Sequence, residues 1–262
     1  MDLVNEFTHT VLLTGRVAGA APVSAFLIAE PESGKTSITC DNHTEGVVAL
    51  TKCTAMGLEL TMQMHPRAHH LILSDLTFVT GMSPRASKSL FEMLKASIEE
   101  GLQNVADPSG FRKFSGQRIG IIGCATPSLA KDNRSWWWKH GFASRVVPFC
   151  YHYSDPLVIR IKQEILDGKA HDVKTPEKPP RTPELPIHVK LETRFANIVL
   201  QISNAKAIEM ESRGIRLLKQ MMALVKAHSL LRGWKNAAVT EDDIAFLKRV
   251  YPYMNWNKPC IL

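Results

Sequence analysis

The feature that most constrains the fold is an apolar run, residues 23–28, followed at once by a loop that ends in Gly34, Lys35 and Thr36. The run predicts a buried strand, and the loop matches the phosphate-binding pattern G-x-x-x-x-G-K-[ST] at its last three fixed positions, with Ala29 at the first. In such a loop, backbone N–H groups surround a phosphate, the lysine reaches the β and γ oxygens, and the threonine holds Mg²⁺. The alternative is a chance occurrence of these residues in a turn. The residues predicted to contact the phosphates are Glu30, Pro31, Glu32, Ser33, Gly34, Lys35, Thr36 and Ser37.

Strand-like and helical patterns alternate after this loop. A helix is predicted over residues 83–100, because Ser83 suits the N-cap, Pro84 the first helical position and Gly101 the residue after the end. Alternating β and α units predict an α/β fold, in which a parallel sheet is covered by helices. Further buried strands are predicted at residues 46–50, 70–73 and 118–123.

The second half of the chain contains one clear linker. Residues 168–186 carry five prolines among many charges, a composition typical of a linker. We interpret residues 1–167 as an α/β domain and residues 187–262 as a smaller, all-helical domain. The residues that share one helical face in this second domain are Leu217, Leu218, Met221, Leu224, Val225 and His228.

Composition argues against several classes of protein. The five cysteines are scattered and include no C-x-x-C pair, which argues against a disulfide scaffold or a zinc module. No apolar run is long enough to span a bilayer, and the first residues lack the order of a signal peptide, so we expect a cytoplasmic protein without a membrane partner.

The net charge is +7, and residues 191–262 contribute +5 of it, from 11 Lys or Arg against 6 Asp or Glu. This excess fits either contact with nucleic acid or an ordinary solvated helical surface.

A lone acid follows the predicted strand at residues 70–73. Nucleotide hydrolases with a phosphate loop need an acid that holds the Mg²⁺ shell, commonly beside a second acid that polarises the attacking water. If Asp75 is on the metal side, Leu76 takes the second position and hydrolysis should be weak. If Ser74 is on the metal side, Asp75 polarises the water. A simple strand-end aspartate is the alternative to both, and we predict Asp75 and Thr36 as the protein groups nearest the metal.

Two further side chains are candidates for contact with the γ-phosphate. Thr126, after the strand at residues 118–123, could hydrogen-bond that phosphate or the attacking water, or could be a turn residue before Pro127. Arg145 precedes a short apolar strand and could project toward a neighbouring subunit's nucleotide, where a guanidinium would neutralise charge in the transition state. The alternative for Arg145 is a surface arginine in a loop.

The order of these features resembles that of the AAA+ ATPases, which runs phosphate loop, acidic strand, polar sensor, arginine finger and helical lid. Residues 214–228 are similar to the lid helix of the MCM helicases and MoxR-type ATPases, and residues 239–244 to their capped last lid helix. Residues 143–146 are similar to the MCM-type finger. The resemblance covers roughly residues 20–250 and implies a P-loop NTPase fold with a three-layer parallel sheet and a C-terminal all-helical lid.

The resemblance also implies an activity. It implies ATP and Mg²⁺ as ligands, and the catalytic residues it implies are Asp75, Thr126, Arg145 and, as the lid sensor, Arg216, with Arg213 a weaker candidate. A finger serves a neighbour's nucleotide, so we expect a homo-oligomeric ring or filament. As a small basic chain of this build, the protein resembles AAA+ helicase loaders, initiators and transposition regulators. We therefore expect an ATPase that acts on DNA with a protein partner. The alternatives are a nucleotide-binding switch with little or no hydrolysis, and a MoxR-like chaperone that remodels proteins.

Two segments have open interpretations. Three consecutive tryptophans at residues 136–138 could stack on bases, or could dock a helix onto the sheet or form a subunit contact. The basic residues within 112–118 could form a pore-facing hairpin, because they lie just before the strand that ends at Thr126.

Overall fold

The computed structural model describes residues 3–40, 45–107, 110–167, 186–256 and 259–262, so the predicted linker, apart from its last residue, lies outside the described residues. The strands are β1 (Ser24–Ile28), β2 (Val47–Leu50), β3 (His70–Leu73), β4 (Asn104–Asp107), β5 (Gly110–Lys113), β6 (Gly120–Ala125), β7 (Val146–His152) and β8 (Cys260–Ile261). The α-helices are α1 (Leu3–Leu13), α2 (Lys35–Cys40), α3 (Ala55–Met64), α4 (Pro84–Glu99), α5 (Pro127–Lys139), α6 (Asp155–Leu166), α7 (Thr193–Glu209), α8 (Ile215–Leu230) and α9 (Glu241–Val250).

Six strands form one parallel sheet in the order β2-β3-β6-β1-β7-β8, which confirms the predicted α/β fold and is compatible with a P-loop-like arrangement. β1, β3 and β6 are buried along their whole length, which explains why their sequences are almost entirely apolar. Because these strands are parallel, they all finish at the same end of the sheet, with Ile28 beside Ala125 and Leu73 beside Gly123. We call this the carboxyl end of the sheet and the opposite one the amino end.

Side chains of the central strand alternate between two helical layers. Ala25 and Leu27 join the core formed with α1, α7, α8 and α9. Phe26 and Ile28 join the core formed with α3, α4 and α5 on the other face. Leu27 and Ile28 are fully buried, and removing a side chain of this size from water stabilises the fold by about 2 kcal/mol. The sheet is therefore flanked by helices on both faces.

The C-terminal helices share the core of the sheet. Phe195 of α7 and Met221 of α8 belong to the same buried cluster as Phe149 of β7. Phe7 of α1 stacks on Phe149 with ring centroids 4.5 Å apart. The apolar face that the sequence predicts in α8 is thus directed at the sheet as well as at its neighbouring helices.

The expectation that residues 187–262 contain only helices is wrong at its very end. Cys260 and Ile261 form β8, which pairs with Tyr151 and His152 of β7. A strand of two residues has no periodicity that a sequence could reveal. It forms because the outer side of β7 presents backbone N–H and C=O groups that need partners.

Helix starts follow the capping residues that the sequence predicts. α4 begins at Pro84, and the N–H of Ala86 donates to Ser83 Oγ at 3.3 Å. Thr240 and Asp243 form a reciprocal capping box at the start of α9. In the described part of the chain, no helix combines the length and the apolar character that crossing a bilayer requires.

The tryptophan segment docks a helix onto the sheet. Trp137 is 1% exposed and meets Phe26 of β1 edge-on, with ring centroids 5.3 Å apart. Trp136 packs against Phe91 of α4. The docking interpretation is confirmed for Trp137, because a ring that is buried between α5 and β1 cannot also stack on a base.

Candidate functional site

The predicted phosphate loop is a tight turn between β1 and α2. Glu32 and Gly34 have φ values of 63° and 71°, in the left-handed region. Gly34 adopts this conformation without strain, whereas Glu32 does so at a cost of roughly 1 kcal/mol. Tyr151 of β7 donates a hydrogen bond from its hydroxyl to the backbone oxygen of Ser33 at 3.3 Å, which ties the turn to the sheet. The loop is therefore held in a curved conformation by the fold.

Lys35 fills the centre of this turn. Its Nζ donates to the backbone oxygens of Ala29 and Glu30, each at 2.6 Å, and to Ser33 Oγ at 3.1 Å. Partial burial lowers the pKa of Lys35 from its ordinary value, an effect that nearby acidic groups, Glu30 and Asp75 among them, partly oppose. The ammonium is thus held by neutral carbonyl groups in a partly desolvated place, where an entering anion can compete for it.

A cavity of about 530 Å³ opens over the loop at the carboxyl end of the sheet. Because β6 lies between β1 and β3, the residues that follow these three strands converge on one place. The structure thus brings together Lys35, Asp75 and Thr126, which are far apart in sequence. The residues that line the cavity are Pro31, Glu32, Ser33, Gly34, Lys35, Ser74, Asp75, Thr77, Cys124, Ala125 and Thr126.

The side chain of Asp75 is exposed at the mouth of β3 and is partly engaged. Its Oδ1 accepts a hydrogen bond from the N–H of Thr77 at 2.8 Å and so caps the short 3-10 helix Leu76–Gly81. Leu76 is 2% exposed and packs in the core. Ser74 and Asp75 both line the cavity, so both interpretations of this pair remain compatible with the geometry.

Thr126 performs a structural task and also lines the cavity. Its Oγ1 accepts from the N–H of Leu129 at 3.3 Å as the N-cap of α5, and it lies 3.0 Å from Ser128 Oγ. Thr126 is therefore a turn residue, as the sequence leaves open, and it also lines the cavity over the loop together with Lys35. The backbone of Thr36 and Ser37 belongs to α2, but their side chains lie outside what the structure describes.

The two predicted arginines lie away from this cavity, at the amino end of the sheet. Val146, directly after Arg145, pairs with Ser24 at the start of β1, whereas the loop follows Ile28 at its end. At about 3.3 Å per residue, the length of β1 separates the two ends by about 13 Å. Arg216 lies in the first turn of α8, and its Nη1 is 3.5 Å from the hydroxyl of Ser144, the residue before Arg145. Within one chain, the structure does not bring either arginine to the loop.

Glu99, which no sequence pattern singles out, binds both arginines. Its Oε2 accepts from Arg145 Nε at 2.8 Å and also contacts Arg145 Nη2. Its Oε1 accepts from Arg216 Nε at 3.2 Å and Nη2 at 2.5 Å. Partial burial raises the pKa of Glu99, but the hydrogen bonds and charges of Arg216 and Arg145 outweigh that effect and hold it below its ordinary value. The carboxylate is therefore ionised at neutral pH.

The three charged groups lie on a second cavity, of about 830 Å³, between α4 and α8. Six cationic side chains line it, and Glu99 is the one acid among its lining residues in the described part of the chain. We call it the basic cavity, and the one over the loop the loop cavity. The cations of the basic cavity are Arg118, Arg145, Arg213, Arg216, Lys219 and Lys226.

Comparison with known proteins assigns no family to this arrangement. No family model matches the chain, and a search of curated proteins found none that is similar to it in sequence. The resemblance to the AAA+ ATPases therefore rests on the sequence motifs alone.

Proposed function

We propose that the chain binds ATP with Mg²⁺ in the loop cavity and hydrolyses it slowly, in an assembly of identical copies that acts on DNA. The observation that carries this proposal is the convergence of Lys35, Asp75 and Thr126 on one cavity beside a curved loop. A phosphate chain with its metal ion suits this place because a partly buried ammonium, that of Lys35, and the carboxylate of Asp75 both line the cavity.

Each residue of the loop cavity would have its own role in binding ATP and Mg²⁺. Lys35 would exchange its carbonyl partners for β and γ oxygens of ATP, to which it is drawn by charge. Mg²⁺, with Thr36 and Asp75 as the nearest protein groups, would neutralise charge on the same oxygens. Thr126 would orient the γ-phosphate or the attacking water through its hydroxyl.

A second candidate function is a nucleotide switch with little turnover, and the environment of Asp75 favours it. One oxygen of this carboxylate is occupied by the N–H of Thr77, and the next residue, Leu76, is apolar and buried. No second carboxylate therefore follows β3 to polarise water. The switch and the slow ATPase share the same binding site and differ only in phosphate release.

Replacement of Lys35 by alanine tests the site. Lys35→Ala should weaken binding of a fluorescent ATP analogue by about 100-fold, because it removes a charge-assisted contact in a partly desolvated place. Lys131→Ala, which removes an exposed lysine from α5, is the matched control and should bind as the wild type does. Equal affinity in the two variants would overturn the proposal. Phosphate release by the wild type then separates the ATPase from the switch.

The hairpin of β4 and β5 is the element that we assign to DNA. It lies just before β6 in sequence and is paired antiparallel, outside the main sheet. Arg112 faces inward, where its Nε donates to the buried carboxylate of Glu59 at 2.6 Å and anchors the hairpin to α3. Phe111, which is 69% exposed, and Lys113 face outward. An exposed aromatic ring next to a cation is a platform for stacking a base beside a phosphate.

A single substitution tests the hairpin. Phe111→Ala should weaken binding of single-stranded DNA by about tenfold or more, since one stacked base contributes about 1–3 kcal/mol. The control is Ile208→Ala, which truncates a side chain that is 79% exposed on α7. Fluorescence anisotropy at two salt concentrations measures both. DNA binding that is absent in the wild type, or unchanged in Phe111→Ala, would rule out this DNA role and leave a protein-remodelling role to be tested.

A further inference from the structure

The basic cavity carries far more positive than negative charge. Six cations line it, and the charge of Glu99 offsets only one of them. Arg145 is 13% exposed at its side chain, Glu99 34% and Arg216 48%, so this ion pair is reached from the cavity and partly shielded from bulk water. A cavity of this size and charge is suited to a ligand with several negative charges.

Glu99 holds a position that its own helix disfavours. It is the last residue of α4, where the negative end of the helix dipole repels a carboxylate. The favourable contacts of Glu99 come from the guanidinium groups of Arg145 and Arg216, each of which donates to a different carboxylate oxygen. Two arginines arranged around one oxyanion have the geometry that also binds a phosphate.

We propose that Glu99 occupies the position that a phosphate chain takes in the assembled protein, and that it is displaced when the nucleotide of a second copy enters the basic cavity. This inference rests on the proposed function for the source of the phosphate, namely ATP held in the loop cavity of the second copy. In the free chain, Glu99 keeps Arg145 and Arg216 paired. It acts as an internal competitor, so that both arginines become available only when a stronger anion arrives.

The charges of the cavity explain why the exchange favours a phosphate chain. The carboxylate carries one charge and touches two cations, whereas a triphosphate carries several and can also approach the remaining cations of the cavity. Glu99 is partly exposed and ends its helix, so its side chain can turn to water without disturbing the core. The remaining cations are Arg118, Arg213, Lys219 and Lys226.

The experiment uses inorganic triphosphate as the probe and a full-length chain with Lys35→Ala, which disables the loop cavity. Calorimetry should find one weak site in this background. Adding Glu99→Gln should raise the triphosphate affinity of this site by about tenfold, because the competing charge is removed while the shape of the side chain is kept. Adding Arg145→Ala and Arg216→Ala together should abolish it. The matched control is Glu100→Gln, which removes the same charge from an exposed neighbour of Glu99.

The outcomes distinguish a Glu99 that competes with phosphate from a Glu99 that only ties α4 to α8. If Glu99 only ties α4 to α8, Glu99→Gln lowers the unfolding midpoint but leaves triphosphate affinity equal to that of the Glu100→Gln control, and the proposal fails. Failure of the proposed function would be seen separately, because the chain with an intact Lys35 would then not bind ATP.

The source of the phosphate is tested in the same series. With an intact loop, Glu99→Gln should strengthen ATP-dependent self-association in sedimentation by about tenfold, as the triphosphate affinity does. A DNA oligonucleotide that displaces triphosphate and gains equally from Glu99→Gln would instead make the basic cavity a nucleic-acid groove and overturn the assignment.

Discussion

The loop cavity and the basic cavity lie at opposite ends of one sheet and are built in different ways. The loop cavity is formed by backbone turns after three neighbouring strands, with Lys35 at its centre. The basic cavity is formed by long side chains from α4, α8 and the segment before β7. The first is fixed by local sequence and strand order, while the second exists only because α8 packs where it does.

The cations of the two cavities also have different partners. Lys35 is held by neutral carbonyl oxygens, whereas Arg145 and Arg216 are held by the charged oxygens of Glu99. A phosphate must therefore displace weak acceptors in the loop cavity and a strong one in the basic cavity. We infer an order from this difference, in which nucleotide binds to the loop first and a second copy engages it afterwards.

The largest expected effect is on ATP turnover, and it distinguishes the basic cavity from the loop cavity. Arg145→Ala should lower turnover by about 1,000-fold, the scale of a lost arginine finger, while ATP affinity stays within about twofold of the wild type. Because Arg145 and the loop lie at opposite ends of β1, which is about 13 Å long, mixing Arg145→Ala with Lys35→Ala should restore part of the turnover. In mixed assemblies, one variant supplies the nucleotide and the other the arginine.

The control for this experiment is each variant alone at the total concentration of the mixture. A phosphate-release assay with rising amounts of Lys35→Ala measures the recovery. If the mixture is no more active than the sum of its two variants, Arg145 does not act between copies. The loop cavity and the basic cavity would then not divide nucleotide binding and activation between them.

The sequence could single out the residues that meet at the loop cavity because each has a local signal, while their roles toward ATP and Mg²⁺ stay predictions. The loop that leads to Lys35 follows β1, Asp75 follows β3 and Thr126 follows β6, and parallel pairing alone brings such positions together. The start of α4 could be predicted in the same way, since Ser83 caps this helix through a bond to a residue three positions away.

The basic cavity could not be predicted in the same way. Glu99 is 46 residues from Arg145 and 117 from Arg216, and nothing in its local sequence separates it from Glu100. The resemblance to the AAA+ ATPases suggested Arg216 as a lid sensor, but not that it would share a carboxylate with Arg145 at the amino end. Contacts of this kind depend on tertiary packing, which a single sequence does not display.

A smaller expected effect concerns the position of α8, on which the basic cavity depends. His228, near the end of α8 opposite Arg216, is buried between two carboxylates: its Nδ1 lies 2.6 Å from Asp243 and its Nε2 3.0 Å from Glu6. Burial lowers the pKa of His228, but the hydrogen bonds to Asp243 and Glu6 outweigh it and raise the pKa above the ordinary value of 6.5. Through these two hydrogen bonds the ring ties α8 to α1 and α9.

His228→Ala should lower the free energy of unfolding by about 2 kcal/mol at pH 6, since it removes two charge-assisted hydrogen bonds while each carboxylate keeps an arginine partner. The folded pKa is raised, so this contribution is fully present below pH 6.5 and is lost as pH rises through the folded pKa. Urea unfolding at pH 6 and pH 9 should therefore show a smaller difference between wild type and variant at the higher pH.

The control for this prediction is His65→Ala, which removes an exposed histidine and should leave stability unchanged at both pH values. Looser packing of α8 should also weaken triphosphate binding in the basic cavity by a few-fold, with ATP affinity of the loop cavity unchanged. Equal losses at the two cavities would mean that α8 supports the whole sheet and not one end of it. Since α8 contributes Arg216 and Lys219 to the basic cavity and no residue to the loop cavity, we expect the unequal result.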